Sequence, residues 1–238
     1  MSVIIVTGTG TDVGKTVVTS AIAAVAVAEG ERVAVVKPAQ TGVPPEGPGD
    51  VDEVRRLAGE ITVRELARYP DPLAPETAAR RAGLPTVRPG AVAAAAVDLA
   101  ASHDLVLVEG SGGLLVRYDA DGATLADVAW ALSEPALIVA DPGLGTLNAT
   151  ALTAETLRRR GIVCAGVIIG RWPRQPDLAA RCNLEDLPAV AGASLLGALP
   201  DGAAALPPAE FRRLARTWLA PRFGGTFDQE SFVKANLE

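Results

Sequence analysis

Residues 8–16 read GTGTDVGKT and follow directly on the apolar run Val3, Ile4, Ile5, Val6. A strand, a glycine-rich loop and a helix in that order make a phosphate-binding loop. Backbone N–H groups and the positive helix end cradle the phosphates, the lysine reaches the β and γ oxygens, and the next hydroxyl holds Mg²⁺. The usual spacing, G-x-x-x-x-G-K-[ST], wants glycine at position 9, where this chain has Thr9. Gly8 comes one residue early, so the loop ahead of Gly14, Lys15 and Thr16 is one residue longer, with Thr11 and Asp12 at its tip. Gly8, Thr9, Gly10, Asp12, Val13, Gly14, Lys15, Thr16 and Val17 are therefore expected around a nucleoside triphosphate such as ATP.

The rest of the chain repeats the same theme. Apolar, β-branched runs recur at 3–7, 33–36, 105–108, 136–140, 163–169 and 195–198. They are apolar throughout rather than alternating, as in strands of a parallel sheet covered on both faces. Alanine-rich stretches of helical length separate them, at 15–29, 50–58, 90–101, 124–132, 147–160 and 208–219. This predicts an α/β fold: a three-layer, doubly wound, mostly parallel sheet of the P-loop NTPase type, with ligands at the carboxyl ends of the strands. Residues 1–220 read as one domain. The stretch 43–50, VPPEGPGD, reads as an irregular loop, 70–89 as a lid or connection with a short helix, and 221–238 as a tail of weak periodicity.

Composition excludes several functions. With 238 residues, 49% of them apolar, the chain can bury a sizeable core. A net charge of −6 argues against nucleic acid or an anionic membrane surface as partner. Cys164 and Cys182 stand far apart and His103 is the one histidine, so neither a zinc site nor a disulfide framework is expected. No leader or membrane-spanning run is evident, and a cytoplasmic setting is the expectation.

The loops after the strands hold the chemistry. Mg²⁺ takes few protein ligands, so one or two carboxylates should join Thr16. Glu109 directly follows the run 105–108, and Asp50 lies beyond the proline–glycine loop at an expected helix N-cap, with Asp52 and Glu53 as rivals on a solvated face. Lys37, fixed by Pro38 at the end of the second strand, is costly to hold there unless an anion meets it. It is expected to contact a transferred phosphoryl group or a carboxylate, and Thr41 offers a hydroxyl to the same cleft. Leu144, Gly145, Thr146, Leu147 and Asn148 open a further helix and should form a second anion nest. Alternatively, Thr146 or Asn148 simply caps that helix. Trp130, Trp172 and Trp218 read as packing residues, although Trp172 could border a base pocket. His103 reads as a surface loop residue.

In that order, and in a chain this short, TGTGTDVGKT, KPAQTG, VEGSGGLLV and GLGTLN resemble the dethiobiotin synthetase family. The resemblance covers residues 3 to about 200 and answers the opening question: the longer loop leaves room for a small acceptor beside the γ-phosphate. It implies ring closure of 7,8-diaminononanoate with CO₂, driven by ATP through a carbamate and a carbamoyl phosphate. It further implies Thr16, Asp50 and Glu109 as Mg²⁺ ligands. Thr11, Lys15, Lys37, Thr41 and Gly112 would lie at the reacting groups, and residues 144–148 would reach across a homodimer to the substrate carboxylate. Two departures stand out. Asp12 takes a place where glutamate is frequent. Gly170 takes that of an asparagine that reads the base, leaving recognition to backbone near Gly170, Pro200, Asp201 and Gly202. Partitioning ATPases are disfavoured because Gly10 stands where they carry a signature lysine. A small-molecule kinase or a glutamine-dependent amide synthetase lacks its arginine-rich lid or its glutaminase domain.

Overall fold

In a computed structural model that describes residues 2–237, the apolar runs become strands and the alanine-rich stretches helices. β1 (Ser2–Gly8) leads through the phosphate loop into α1 (Lys15–Ala28), followed by β2 (Val33–Lys37), a short β3 (Gln40–Thr41) and α2 (Asp50–Ala58). Next come β4 (Thr62–Glu65), β5 (Arg68–Tyr69), α3 (Pro75–Ala82), α4 (Pro89–Ala100) and β6 (Leu105–Gly113). The second half comprises α5 (Leu125–Leu132), β7 (Ala136–Ala140), α6 (Thr146–Arg159), β8 (Cys164–Trp172), α7 (Leu178–Ala191), β9 (Leu195–Pro200), α8 (Pro208–Trp218) and α9 (Gln229–Leu237).

Seven parallel strands form one sheet in the order β4-β2-β6-β1-β7-β8-β9, while β3 and β5 pair apart as a second, two-stranded sheet. Side chains of successive strand residues point to opposite faces, and both faces are dry. Ile5, Val36, Val108 and Ile138 pack under α4, α5, α6 and α7. Val6, Val35, Leu107 and Val139 pack under α1, α2 and α8, where Ile22, Leu57 and Phe211 meet them. Fully burying each such side chain is worth about 1.5–3 kcal/mol. This two-sided burial is why the strands read as unbroken apolar runs.

Differences from the sequence reading are local. The glycine run after Glu109 stays in the sheet through a bulge: Val6 pairs with Glu109, but Gly8 pairs with Gly113. β4 was not legible because it is an edge strand, half-exposed and carrying Arg64 and Glu65. α7 escaped because its stripe is interrupted and Pro188 lies inside it. The 221–238 segment carries α9, whose Asn236 accepts a hydrogen bond from Trp172 Nε1 at 3.1 Å and whose Phe232 stacks edge-on against Trp172. Trp172 and Trp218 are packed as expected, whereas Trp130 is 69% exposed and is not a packing residue. No helix among the described residues is long and apolar enough to cross a membrane.

Candidate active site

The central strand β1 delivers the phosphate loop at its carboxyl end. The tip residue Asp12 takes a left-handed conformation (φ 57°), as does Gly14 (φ 94°). A side chain on Gly14 would run into the Gly170 carbonyl at 2.6 Å, and one on Gly170 into the Val13 carbonyl. Gly170 thus has the size needed to let β8 slide beneath the loop, and it lines neither cleft described below. Lys15 folds back to donate to the Gly10 carbonyl at 2.9 Å. Burial, and then the neighbouring Lys37 charge, hold its ammonium below the ordinary lysine range. An anion over the loop would relieve both penalties.

Lys37 is the hub. β2 lies beside β6, so the end of β2 comes alongside Glu109. The Lys37 ammonium contacts Glu109 Oε1 at 2.9 Å and Asp50 Oδ2 at 2.5 Å, and donates to the Gly110 carbonyl at 3.2 Å. Burial alone would drive this lysine down, but the Glu109 and Asp50 carboxylates outweigh it and hold the ammonium above the ordinary range. Thr16 donates its hydroxyl to the same Glu109 Oε1 at 2.9 Å. Glu109 Oε2 is buried and finds no hydrogen-bond partner among the described residues, a costly state unless another group meets it.

Asp50 is not the cap of its own helix. Gly49 occupies the N-cap, and Asp52 accepts the Gly49 N–H at 2.8 Å. Glu53 is engaged by Arg56. Asp50 is thereby left to face the cleft, and its rivals are spoken for. Two carboxylates and a hydroxyl, one carboxylate oxygen being orphaned, match the few protein oxygens that Mg²⁺ takes when phosphates and water complete its shell.

Lys15, Thr16, Lys37 and Asp50 line a cleft of about 520 Å³ together with Thr11, Asp12, Gly14, Val17, Thr41 and Gly112, and Glu109 lies buried behind Thr16 and Lys37. Gln40, Ser111 and Arg171 also line it, and the sequence reading did not single them out. Ser111 donates to the Ala39 carbonyl at 2.6 Å, tying β6 to the segment after β2. Arg171 pairs with Asp141 at 3.0 Å and also borders a second cleft of about 330 Å³, lined by Gly143, Asp177 and Asp201 among others. Asp201 donates its N–H to the Trp172 carbonyl at 2.7 Å, and Gly202 follows in the left-handed region.

Residues 144–148 lie on the lining of neither cleft. Gly145 is the N-cap of α6, with φ 90° and no side-chain cap among the described residues, so neither Thr146 nor Asn148 caps the helix. Leu144 is 91% exposed. Asn183 of α7 donates to the Pro142 and Gly143 carbonyls at 2.7 and 3.1 Å and fixes the approach to this turn. His103 lies far off on the opposite sheet end, hydrogen-bonded to Thr62 and the Leu99 carbonyl.

Residues 2–208 match a family described as an AAA domain. The chain is 66% identical to the ATP-dependent dethiobiotin synthetase BioD of Streptomyces avermitilis over 99% of both chains. It is 63% identical to that of Streptomyces coelicolor over 98% of both, and 67% identical to that of Saccharopolyspora erythraea over 96% of this chain and 100% of the relative. Among solved structures, the Aquifex aeolicus MinC:MinD cell division complex (TM-score 0.57, 13% identity, 96% of this chain and 98% of that one) shares the fold. So does the ParA family ATPase of Chlorobium tepidum (TM-score 0.56, 15% identity, 100% and 99%).

Proposed function

Given that the chain belongs to the ATP-dependent dethiobiotin synthetase family, we propose that its cleft closes the ureido ring of dethiobiotin from 7,8-diaminononanoate and CO₂ by way of a carbamoyl phosphate. The chain is an ATP-dependent cyclo-ligase of biotin synthesis; the route, the residues and the shared site are our reading. The observation that carries it is the buried Lys37 ammonium, held by Glu109 and Asp50 at the mouth of the phosphate loop.

One amine of the substrate attacks CO₂ and loses a proton, giving a carbamate. A carbamate oxygen attacks the γ-phosphorus and ADP leaves. The second amine then attacks the carbamoyl carbon, loses its proton and expels phosphate as the ring closes. Negative charge gathers on the oxygens passed between carbamate and phosphoryl group, and fixed cations there stabilise the transition state without reorganising. Lys15 and Lys37 are those cations, and Thr11 at the loop tip and Thr41 opposite orient the acceptor. Thr16, Asp50 and Glu109 would hold Mg²⁺, which when bound draws charge from the phosphate oxygens. Little covalent work falls to the protein, so positioning dominates.

The triphosphate lies along the loop with its base toward the second cleft, near Asp201. The diamine carboxylate is gripped by residues 144–148 of a second copy of the chain, which is why Leu144, Gly145 and Asn148 stand exposed and the segment lies outside the cleft of its own subunit. Exposed Leu144 and Leu152 supply apolar contact for such a homodimer.

Incubating the protein with the diamine, bicarbonate, Mg²⁺ and ATP should yield the ureido product and one phosphate per ring closed. Phosphate release that ignores the diamine would contradict the reading.

A further inference from the structure

β3 and β5 form a two-residue parallel sheet just past the end of β2, and in it Gln40 and Arg68 are direct cross-strand partners. Their side chains converge on the loop that leads to Asp50. Gln40 is 5% exposed, and a buried amide must find partners. Its Oε1 accepts the Asp50 N–H at 2.8 Å, and its Nε2 donates to the Thr41 carbonyl at 3.2 Å. Arg68 donates to the Gly47 carbonyl while Glu65 holds the other edge of its guanidinium at 2.6 and 2.9 Å. The fork of an arginine serves both at once. Gly49 lies between these two side chains. A Cβ there would meet Arg68 Nη2 and Gln40 Oε1, each at 2.9 Å.

We propose that Gln40 and Arg68 are positioning residues that set the Asp50 carboxylate for the divalent cation; this rests on the reading of Asp50 as a cation ligand given above. The first N–H of a helix ordinarily has no partner within it. Here an amide from another sheet takes it, so the start of α2 is fixed from outside the helix. Lys37 holds the Asp50 carboxylate from the cleft side, and with the local cap supplied by Asp52 the clamp sets the backbone position from which that carboxylate reaches the cleft.

The test titrates Mn²⁺ into full-length protein with ATP but no diamine, reading free Mn²⁺ by electron paramagnetic resonance. Gln40→Ala, and separately Gly49→Ala, should weaken Mn²⁺ binding about 10- to 100-fold, as loss of a group supporting a metal ligand does. Divalent-free ATP binding and cooperative thermal unfolding should be retained. Gln40→Ala combined with Asp50→Asn should bind Mn²⁺ no more weakly than Asp50→Asn alone, since coupled residues are not additive. Unchanged Mn²⁺ affinity in Gln40→Ala and Gly49→Ala, where Asp50→Asn weakens it, overturns the clamp and leaves the Asp50 assignment standing. Equal losses with and without the cation also overturn it. If Asp50→Asn itself leaves Mn²⁺ binding intact, the assignment fails and the clamp falls with it.

Discussion

The phosphate-loop end of this molecule and the start of α6 are built in opposite ways. At the phosphate loop, Lys37 and Glu109 are 2% and 1% exposed and pair with each other across neighbouring strands. At the start of α6, Leu144 is almost fully exposed, and the turn faces outward without a side-chain cap. The first end gathers paired charges within one chain and owes its order to that pairing. The second has its approach secured by Asn183 and lies on the lining of neither cleft. The contrast is what a site shared between two copies would require: chemistry on the buried side, recognition on the exposed side.

The largest expected effect is at the buried end. Lys37→Ala should lower dethiobiotin formation by at least about 10²–10³-fold, the cost of losing a preorganised charge stabiliser. ATP affinity without divalent cation should be little changed. Measured turnover near the parent's would remove Lys37 from the reaction. Next comes Glu109→Gln, which leaves Lys37 short of one carboxylate partner. Breaking a buried pair from one side costs about 3–5 kcal/mol, so denaturant unfolding should show a loss of that order alongside lost activity. A stability unchanged from the parent would mean that the pair contributes nothing.

At the exposed end the effects should be smaller and of another kind. Asn148→Ala should raise the KM for the diamine about tenfold, the worth of one hydrogen bond to a charged group, and leave the KM for ATP alone. Equal rises in both would show that residues 144–148 have been assigned to the wrong ligand. Leu144→Asp should shift the chain toward monomer in sedimentation while its fold is kept. An unchanged assembly would sever the link between this turn and a second copy. The smallest effect is in pH. The folded-state Lys37 ammonium is held above its ordinary value of 10.5, so its share of stability is full below that value and is lost only as pH climbs past it. The stability difference between parent and Lys37→Met should therefore stay flat from about pH 7 to pH 10. A difference that decays within that window would place the lysine's protonation elsewhere.

Much of this could be read before any coordinates. The central strands announced themselves because both sheet faces are buried, and Lys15, Thr16, Lys37 and Glu109 because strand ends put their chemistry where chain order says it belongs. Asp50 was picked out from the same logic, though the cap it was expected to serve belongs to Asp52. What stayed hidden depends on pairings with no sequence signature. Gln40 and Arg68 meet through a two-residue sheet, Ser111 reaches back to Ala39, and Asn183 grips a loop some 40 residues away. Gly170, expected near the base, instead lies under the phosphate loop for want of room. Each is set by the approach of distant segments, which no local spacing encodes.

The most direct measurement is a crystal structure of the protein with Mg²⁺, a non-hydrolysable ATP analogue and the diamine. The account predicts the Lys37 ammonium within about 3 Å of an oxygen between the carbamate and the terminal phosphoryl group. It predicts Glu109 and Asp50 on the cation, and the diamine carboxylate on residues 144–148 of a second copy. A terminal phosphoryl group lying away from Lys37, or a carboxylate bound wholly within one chain, would contradict it.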